Sequence, residues 1–428
     1  MRSAAAAMLA LIIAVIACGI PLTRNFPVSA TALSDASYIM VGGQNGTWFQ
    51  AGQDPRLEKI GLRDLSVTPL TPAPTQGVVW GGGWNGSQWL ISGWGDDFGP
   101  NGSDPYIFLY NGSSRILGGS MDQYQAESMW RGGDIFSASS NGKDWLLSGL
   151  GSGNLPSYGD SNHMALGIFD GNHLTDLSAS VPNQRDFILY TNVWNGKYWL
   201  IGGGYMDGGA LFSHDGKNIV DLTPELAQAV PSFASVQSLA WNGYYWLIGG
   251  VGFLATYDGH KFTDLTPQLD SMVELTNSNA VNAIAWDGEE WVLGGGVPVT
   301  WPADYTASSR AWLLKYEGGH FTNLTSKIIP SVADTVLVSS ILSIAASDGW
   351  WIIGGYLNGR GSLIEYTGNL FSNLSNLVDN YTYVNWVGAR IFQEHIQTLG
   401  KPNGIDPTIM LLLSSERRTM EMSRPQPN

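Results

Sequence analysis

The sequence predicts an all-β fold, a single β-propeller of about seven four-stranded blades. Three observations predict it. A ten-residue phrase returns along the chain, a second hairpin-like phrase follows it, and apolar residues show almost no 3.6-residue periodicity.

The first phrase reads WNGSQWLISG from Trp84, SNGKDWLLSG from Ser140 and WNGKYWLIGG from Trp194. It continues as WNGYYWLIGG from Trp241, WDGEEWVLGG from Trp286 and a shortened SDGWWIIGG from Ser347, with a degenerate QNGTWFQAG from Gln44. The turn glycines are Gly46, Gly86, Gly142, Gly196, Gly243, Gly288 and Gly349. Their spacing runs from 40 residues (46 to 86) to 61 residues (288 to 349), the length of a four-stranded blade. The second phrase is FLATYDGHKFTDLTP from Phe253, WLLKYEGGHFTNLT from Trp312 and three further variants.

Each unit reads as strand A (such as Val281 to Trp286), turn, strand B (Trp291 to Gly295), loop, strand C, turn, strand D. Asn-Gly and Asp-Gly suit the turns because both tolerate positive φ. The flanking runs are rich in Trp, Tyr, Val, Ile and Leu, as strands are. A blade has two apolar faces, and only neighbours on both sides cover them, so the ring should close. Trp89, Trp145, Trp199, Trp246, Trp291 and Trp351 are expected to fill the wedges between blades, where a small side chain would leave a costly cavity. The glycine pair after strand B lets backbone pass close to the next blade.

Residues 1–18 read as a signal peptide with a lipobox-like end, residues 19–35 as a spacer, and residues 36–377 as the propeller. Residues 378–428 read as a C-terminal segment with a polar tail, in which Thr408 to Ser414 is expected to pair with blade one and close the ring. The apolar run Ala4 to Ala17 is too short for an ordinary membrane span and suits a signal-peptide core. It ends in Val15-Ile16-Ala17-Cys18-Gly19, so Cys18 is a lipidation candidate, with cleavage after Ala30 or Ala32 as the alternative. Seven Asn-x-Ser/Thr sequons fit a secreted glycoprotein. The expected location is extracellular or the cell surface.

Glycine stands at 54 residues, tryptophan at 18, and charged residues at 13%, about half the usual share. The net charge of −15 repels a nucleic-acid backbone, so no nucleic-acid partner is expected. Cys18 is the single cysteine; cysteine-based zinc sites and thiol catalysis in the body of the chain are excluded.

The run Gly243, Trp246, Leu247, Ile248, Gly249, Gly250, Tyr257, Asp258, Phe262, Leu265, Pro267 resembles the kelch repeat. Tryptophan replaces that family's usual tyrosine before the aliphatic pair, and Phe262 its later tryptophan. The resemblance covers about residues 36–377. A looser one links the hairpins to bacterial-neuraminidase repeats of sialidase-like propellers, without their Asp-box spacing. Both imply a propeller and little about activity. The copper site known on one kelch ring needs a cysteine within the ring, and this chain has none there. No cofactor is expected. His173, His214, His260 and His320 fall near the C–D turns of different blades, too far apart to share a metal.

Topology puts the tight A–B and C–D turns on one face and the long B–C and D–A loops on the other, where binding residues concentrate. The candidate binding residues on that loop face are Trp94, Asp96, Asp97, Asp104, Trp130, Arg131, Arg185, Asp207, Trp301, Asp304, Tyr305 and Arg360. Exposed aromatics beside acids and arginines suit sugar rings. Asp97 and Asp104 flank a Gly-rich stretch of oxygen ligands and form a weak Ca²⁺ candidate without EF-hand spacing. The expected role is a non-catalytic binding module for a glycan, an envelope component or a partner protein, attached to the membrane through its N-terminus. A sialidase-like glycan hydrolase using the same face and a structural envelope subunit are the alternatives. The hydrolase would need a carboxylate pair or a Tyr–Glu nucleophile with an arginine cluster.

Overall fold

The computed structural model describes residues 38–45, 54–61, 65–70, 77–95, 104–112, 114–116, 133–152, 162–183, 187–205, 208–273, 279–296, 310–328, 340–347, 350–357, 360–367 and 370–389. Their strands form five four-stranded antiparallel sheets and one of eight strands. The eight-stranded sheet is two four-stranded units joined by the single pair Gly296↔Ser340, so five plus two gives seven blades. The inner strands are Gly77–Trp84, Asp134–Ser140, Ile188–Trp194, Val236–Trp241, Ala280–Trp286, Ser340–Ser347 and Tyr383–Ala389. Each meets the next around a closed ring. The chain is a seven-bladed β-propeller.

Blade one closes the ring and corrects two expectations. Its inner strand is Tyr383–Ala389, paired antiparallel with Tyr38–Asn45. Tyr38–Asn45 in turn pairs with Asp54–Gly61. The segment around Gln44 is therefore the end of a second strand, and Gly42-Gly43 is the counterpart of Gly249-Gly250 rather than a stretch leading into an A–B turn. Gly46 itself lies outside the described residues. The ring-closing strand falls in the C-terminal segment, but earlier than Thr408 to Ser414, which lies outside the described residues. Clasping the two ends of the chain in one sheet removes the free edge that an open ring would present.

The wedge tryptophans are buried: Trp89 is 4% exposed, Trp145, Trp199 and Trp291 1%, and Trp246 and Trp351 0%. Ile39 takes this place in blade one, at 0%. Most of the indole N–H groups reach the preceding blade. Trp89 donates to Tyr38 Oη at 3.2 Å, Trp246 to Tyr198 Oη at 3.0 Å, and Trp291 to Tyr245 Oη at 2.9 Å. Trp145 donates to the Gly83 carbonyl at 3.3 Å and Trp351 to Asp287 Oδ2 at 3.1 Å. The glycine pairs make room for the next blade. A Cβ on Gly249 would lie 2.6 Å from the Val281 side chain, and one on Gly354 would lie 2.7 Å from Val384.

A second repeated device ends five of the seven outer strands. Thr223 N donates to Asp221 Oδ1 at 2.9 Å, while Thr223 Oγ1 accepts from Leu211 N at 3.0 Å. The same latch recurs at Asp176-Leu-Ser178, Asp264-Leu-Thr266, Asn323-Leu-Thr325 and Asn373-Leu-Ser375. It starts the short helices Thr223–Ala229, Thr266–Val273 and Thr325–Ile328, all in D–A connections. Two of the sequons, at Asn323 and Asn373, are thus copies of this latch with a carboxamide in place of a carboxylate.

Candidate functional site

The two ends of the ring differ. On one end the A–B turns repeat one geometry. Asn85, Asn141, Asn195, Asn242 and Asp287 each accept two backbone N–H groups with a side-chain oxygen. The C–D turns do the same with Asp170, Asp215 and Asp258. Those N–H donors hold all three carboxyls below the usual range, Asp215 down to about 2. On the other end the B–C connections vary in length. Two residues separate Gly250 from Phe253 (251 and 252), while fifteen separate Gly296 from Trp312 (297 to 311).

Three of the candidate binding residues fall among the described residues. Trp94 is the penultimate residue of the second strand of blade two, half-buried and paired with Val78 and Pro105. Asp104 opens the next strand opposite Gly95, and its side chain is outside the described residues. Arg360 opens the third strand of blade seven, exposed and paired with Leu357. Blade one stands between Trp94 and Arg360. Asp96, Asp97, Trp130, Arg131, Arg185, Asp207, Trp301, Asp304, Tyr305 and Cys18 lie outside the described residues. On the same face Tyr356 of blade seven stacks on Tyr383 of blade one, with centroids 4.7 Å apart. Burial pushes the Tyr383 hydroxyl up to about 12.

The sequence reading missed a ring at the axis. Every inner strand carries a bulge, one residue with no partner opposite it. From blade one to blade seven the bulge residues are Asn385, Trp80, Phe136, Tyr190, Gln237, Asn282 and Leu342. The residues just before them, such as Val236, Val281 and Ile341, pack into the cores between blades. The bulge residues instead reach toward the next inner strand. Ring centroids of Trp80 and Phe136 are 5.2 Å apart, and those of Phe136 and Tyr190 are 5.5 Å apart. Asn282 Nδ2 donates to Ser340 Oγ at 2.7 Å, and Asn385 Nδ2 donates to the Val79 carbonyl at 3.4 Å. Three aromatics on consecutive blades thus form one arc, and carboxamides with a leucine complete the circle. Bulges are used to re-aim side chains beside sites. The signal was present in the sequence: six strands of similar chemistry differ at the position four residues before the turn, as in Trp80 before Trp84 and Gln237 before Trp241.

Asp134 opens the inner strand of blade three, two residues nearer the loop face than Phe136. Burial pushes its carboxyl up to about 7, and the nearby Trp80 indole opposes that rise. No cation among the described residues contributes to holding it ionised.

A Tyr–Glu pair exists elsewhere. Tyr381 Oη donates to the Val41 carbonyl at 3.3 Å and lies beside Glu58, with Arg56 and Asp379 near, and burial raises the Glu58 carboxyl above its usual range. Glu58 is 5% exposed and Tyr381 2%, in the wedge between blades seven and one. The pair is buried in the closing blade. His214 is likewise buried, stacked on Trp199 at 5.8 Å. Among the described residues no group of three or more His, Cys, Asp or Glu is placed to hold a metal ion. No helix among them is long and apolar enough to cross a membrane.

No protein-family model matches the chain, and no curated protein matches it. Solved structures similar to it include the acylaminoacyl peptidase of Pyrococcus horikoshii, at 11% identity and a TM-score of 0.44, over 80% of this chain and 53% of that one. They also include the β-propeller domain of the Trilobed protease from Pyrococcus furiosus, at 13% identity and a TM-score of 0.41, over 70% of this chain and 84% of that one. The chain therefore spans about half the length of the peptidase it matches.

Proposed function

We propose that this propeller is a non-catalytic, kelch-like binding module that takes a glycan, envelope component or partner protein on its loop face. The observation that carries this reading is the contrast between the two ends of the ring. Five A–B turns keep one hydrogen-bonded geometry, whereas the B–C connections range from two residues to fifteen. Variation costs the blades little there, because the wedge tryptophans, beside the A–B turns, hold them together away from those loops. The location proposed is the cell surface, with Cys18 as a lipid anchor after the apolar run Ala4 to Ala17.

A glycan array with the purified chain tests the reading, followed by affinity measurements on any hit. Trp94→Ala, Trp130→Ala and Trp301→Ala should each weaken binding by about 1–3 kcal/mol, as loss of a stacking aromatic does. Tyr244→Ala, on an A–B turn where the ring is 83% exposed, should leave binding unchanged. Loss of binding in the Tyr244 variant, with all three loop variants unaffected, would assign the ligand to the opposite face.

A further inference from the structure

We propose that the turn face, the end of the ring built from A–B and C–D turns, lies against a membrane. Tyr244 and Leu370 then sit at the level of the lipid headgroups, and the loop face is turned away from the lipid. The proposal rests on the Cys18 anchor proposed above, and it names the surface that the anchor brings to the membrane.

Three observations point to this face. The first is where the chain enters and leaves the ring. In every blade the inner strand runs toward the A–B turn and the second strand runs away from it. In blade one the inner strand Tyr383–Ala389 therefore ends at the turn face and the second strand Tyr38–Asn45 starts there, with Ile39 opposite Ala389. Both chain ends leave the ring at that point. The 19 residues from 19 to 37 join Cys18 to Tyr38 and span at most roughly 65 Å. A tether attached at the turn face sets that face on the lipid by the shortest route. Seating the loop face instead would carry the tether back past the height of a blade, roughly 25 Å for eight-residue strands.

The second observation is the apolar surface. Six large apolar side chains stand exposed among the described residues, and five of them lie at the turn face. Tyr244 is in the A–B turn of blade five and Leu65 in the C–D connection of blade one. Val67, Val220 and Leu370 fall within two residues after C–D turns. Tyr244 at 83% and Leu370 at 71% are the most exposed of the six. Packing within the blades does not require this bias, since none of the five is buried. Tyrosine, with an apolar body and a polar tip, suits the headgroup level of a bilayer.

The third observation is charge. Four of the eight lysines of the chain, Lys143, Lys197, Lys217 and Lys261, stand exposed in the turns of blades three to five. They balance Asp144, Asp170, Asp215 and Asp258 in the same turns, so this part of the face is neutral in a chain of net charge −15. An anionic lipid surface repels it less than it repels the rest of the molecule. The three C–D carboxylates turn an oxygen back onto their own backbone N–H groups. The lysines reach outward, Lys143 with 84% of its side chain exposed. Their stems cover apolar surface while their ammonium groups meet lipid phosphates.

The test uses the full chain, purified in lipidated form from a bacterium that processes lipobox sequences. It is reconstituted on vesicles of phosphatidylcholine and phosphatidylglycerol. Cys18 is the only cysteine and is acylated in that form, so one introduced thiol takes a fluorescent label cleanly. Lys217→Cys reports on the turn face and Arg360→Cys on the loop face, both at exposed positions. Lipids with a nitroxide on the headgroup quench the label that lies near them. Quenching at position 217 should be at least about threefold that at position 360, because the strands hold the two faces roughly 25 Å apart. Adding Tyr244→Ser and Leu370→Ser should reduce quenching at position 217 about twofold, with unchanged near-ultraviolet circular dichroism, because the headgroup contacts are gone. Quenching at position 360 equal to or above that at position 217 overturns the proposal and leaves the anchor standing. Quenching that the double substitution does not change overturns it as well, since the tether alone would then set the orientation. Wild-type chain that stays in the supernatant removes the anchor and the proposal together. If position 217 is quenched as expected while the Trp94, Trp130 and Trp301 variants lose no ligand, the membrane face stands and the loop-face reading falls.

Discussion

Two layers of the ring occupy equivalent places in every blade and obey different rules. In the wedge layer six blades use tryptophan and one uses Ile39. In the bulge layer seven blades use six residue types: tryptophan, phenylalanine, tyrosine, glutamine, leucine and asparagine, the last twice. Backbone geometry is common to both. The wedge is uniform because its volume is fixed by two flat sheets meeting at one angle, and close packing tolerates few shapes. The bulge is varied because packing does not fix it; the side chain there faces the axis, where no sheet imposes a volume. Uniformity marks a volume the fold fixes, and variety marks a position that several side chains can fill.

The largest effect tests that contrast directly. Trp246→Ala should destabilise the chain by about 3–5 kcal/mol, because it empties a fully buried wedge and orphans the Tyr198 hydroxyl it contacts. Tyr190→Leu, in the bulge layer, should cost far less, on the order of 1 kcal/mol. Chemical denaturation of both variants decides it. Equal losses would mean that the bulge layer is structural after all.

The wedge was legible in the sequence because it rides on a loud signal, the Asn-Gly turn followed at fixed distance by tryptophan and an aliphatic pair. The same signal marks six of the seven blades; the seventh copy, at Gln44, is not an A–B turn, and blade one is completed by Tyr383–Ala389. The register of blade one was not legible. Its second strand Tyr38–Asn45 is followed in the sequence by Gly46, so that an Asn-Gly dipeptide mimics the A–B turn, while its true inner strand lies some 340 residues away, beginning at Tyr383. Pairing between chain ends leaves no local mark, because each strand looks the same whichever neighbour it finds. The bulge residues were hidden by their diversity. A motif search finds what repeats, and Trp80, Gln237 and Leu342 share only an address. Asp134 carries no motif at all; its importance comes from burial beside Trp80, which appears only once blades two and three are adjacent.

A smaller effect concerns that carboxyl. Its pKa in the folded chain is about 7, above the ordinary 3.8, so folding favours the protonated form. Such a group contributes its full stability below pH 4 and loses it as pH rises through 7. The loss is at most about 4 kcal/mol, the three-unit difference converted at 1.36 kcal/mol per unit. Thermal unfolding of wild type and Asp134→Asn across pH 4 to 8 measures it. The wild-type melting temperature should fall relative to the variant over that range. Parallel curves would show that Asp134 ionises freely and that the bulge layer holds no desolvated charge.

The smallest effect lies at Trp199, the wedge tryptophan whose indole N–H has no acceptor among the described residues. Trp246 and Trp291 donate to Tyr198 and Tyr245, each the residue before the wedge tryptophan of the preceding blade. Trp199 should donate to the same place in blade three, but the residue before Trp145 is Asp144, and the buried Trp199 indole N–H finds no acceptor among the described residues. Asp144 instead makes an exposed ion pair with Lys143 at 3.2 Å, a contact of little value. Asp144→Tyr should place a hydroxyl where Tyr198 and Tyr245 carry theirs and stack its ring against Trp199, as those tyrosines do at 6.0 and 5.7 Å. The gain expected is about 1 kcal/mol, the net worth of satisfying one buried donor. Asp144→Phe brings the ring without the hydroxyl and so separates stacking from hydrogen bonding. A tyrosine variant more stable than both wild type and the phenylalanine variant shows that the wedge is a hydrogen-bonded chain of blades as well as a packed one. If phenylalanine stabilises as much as tyrosine, the indole contacts seen in the other blades follow from packing and contribute nothing of their own.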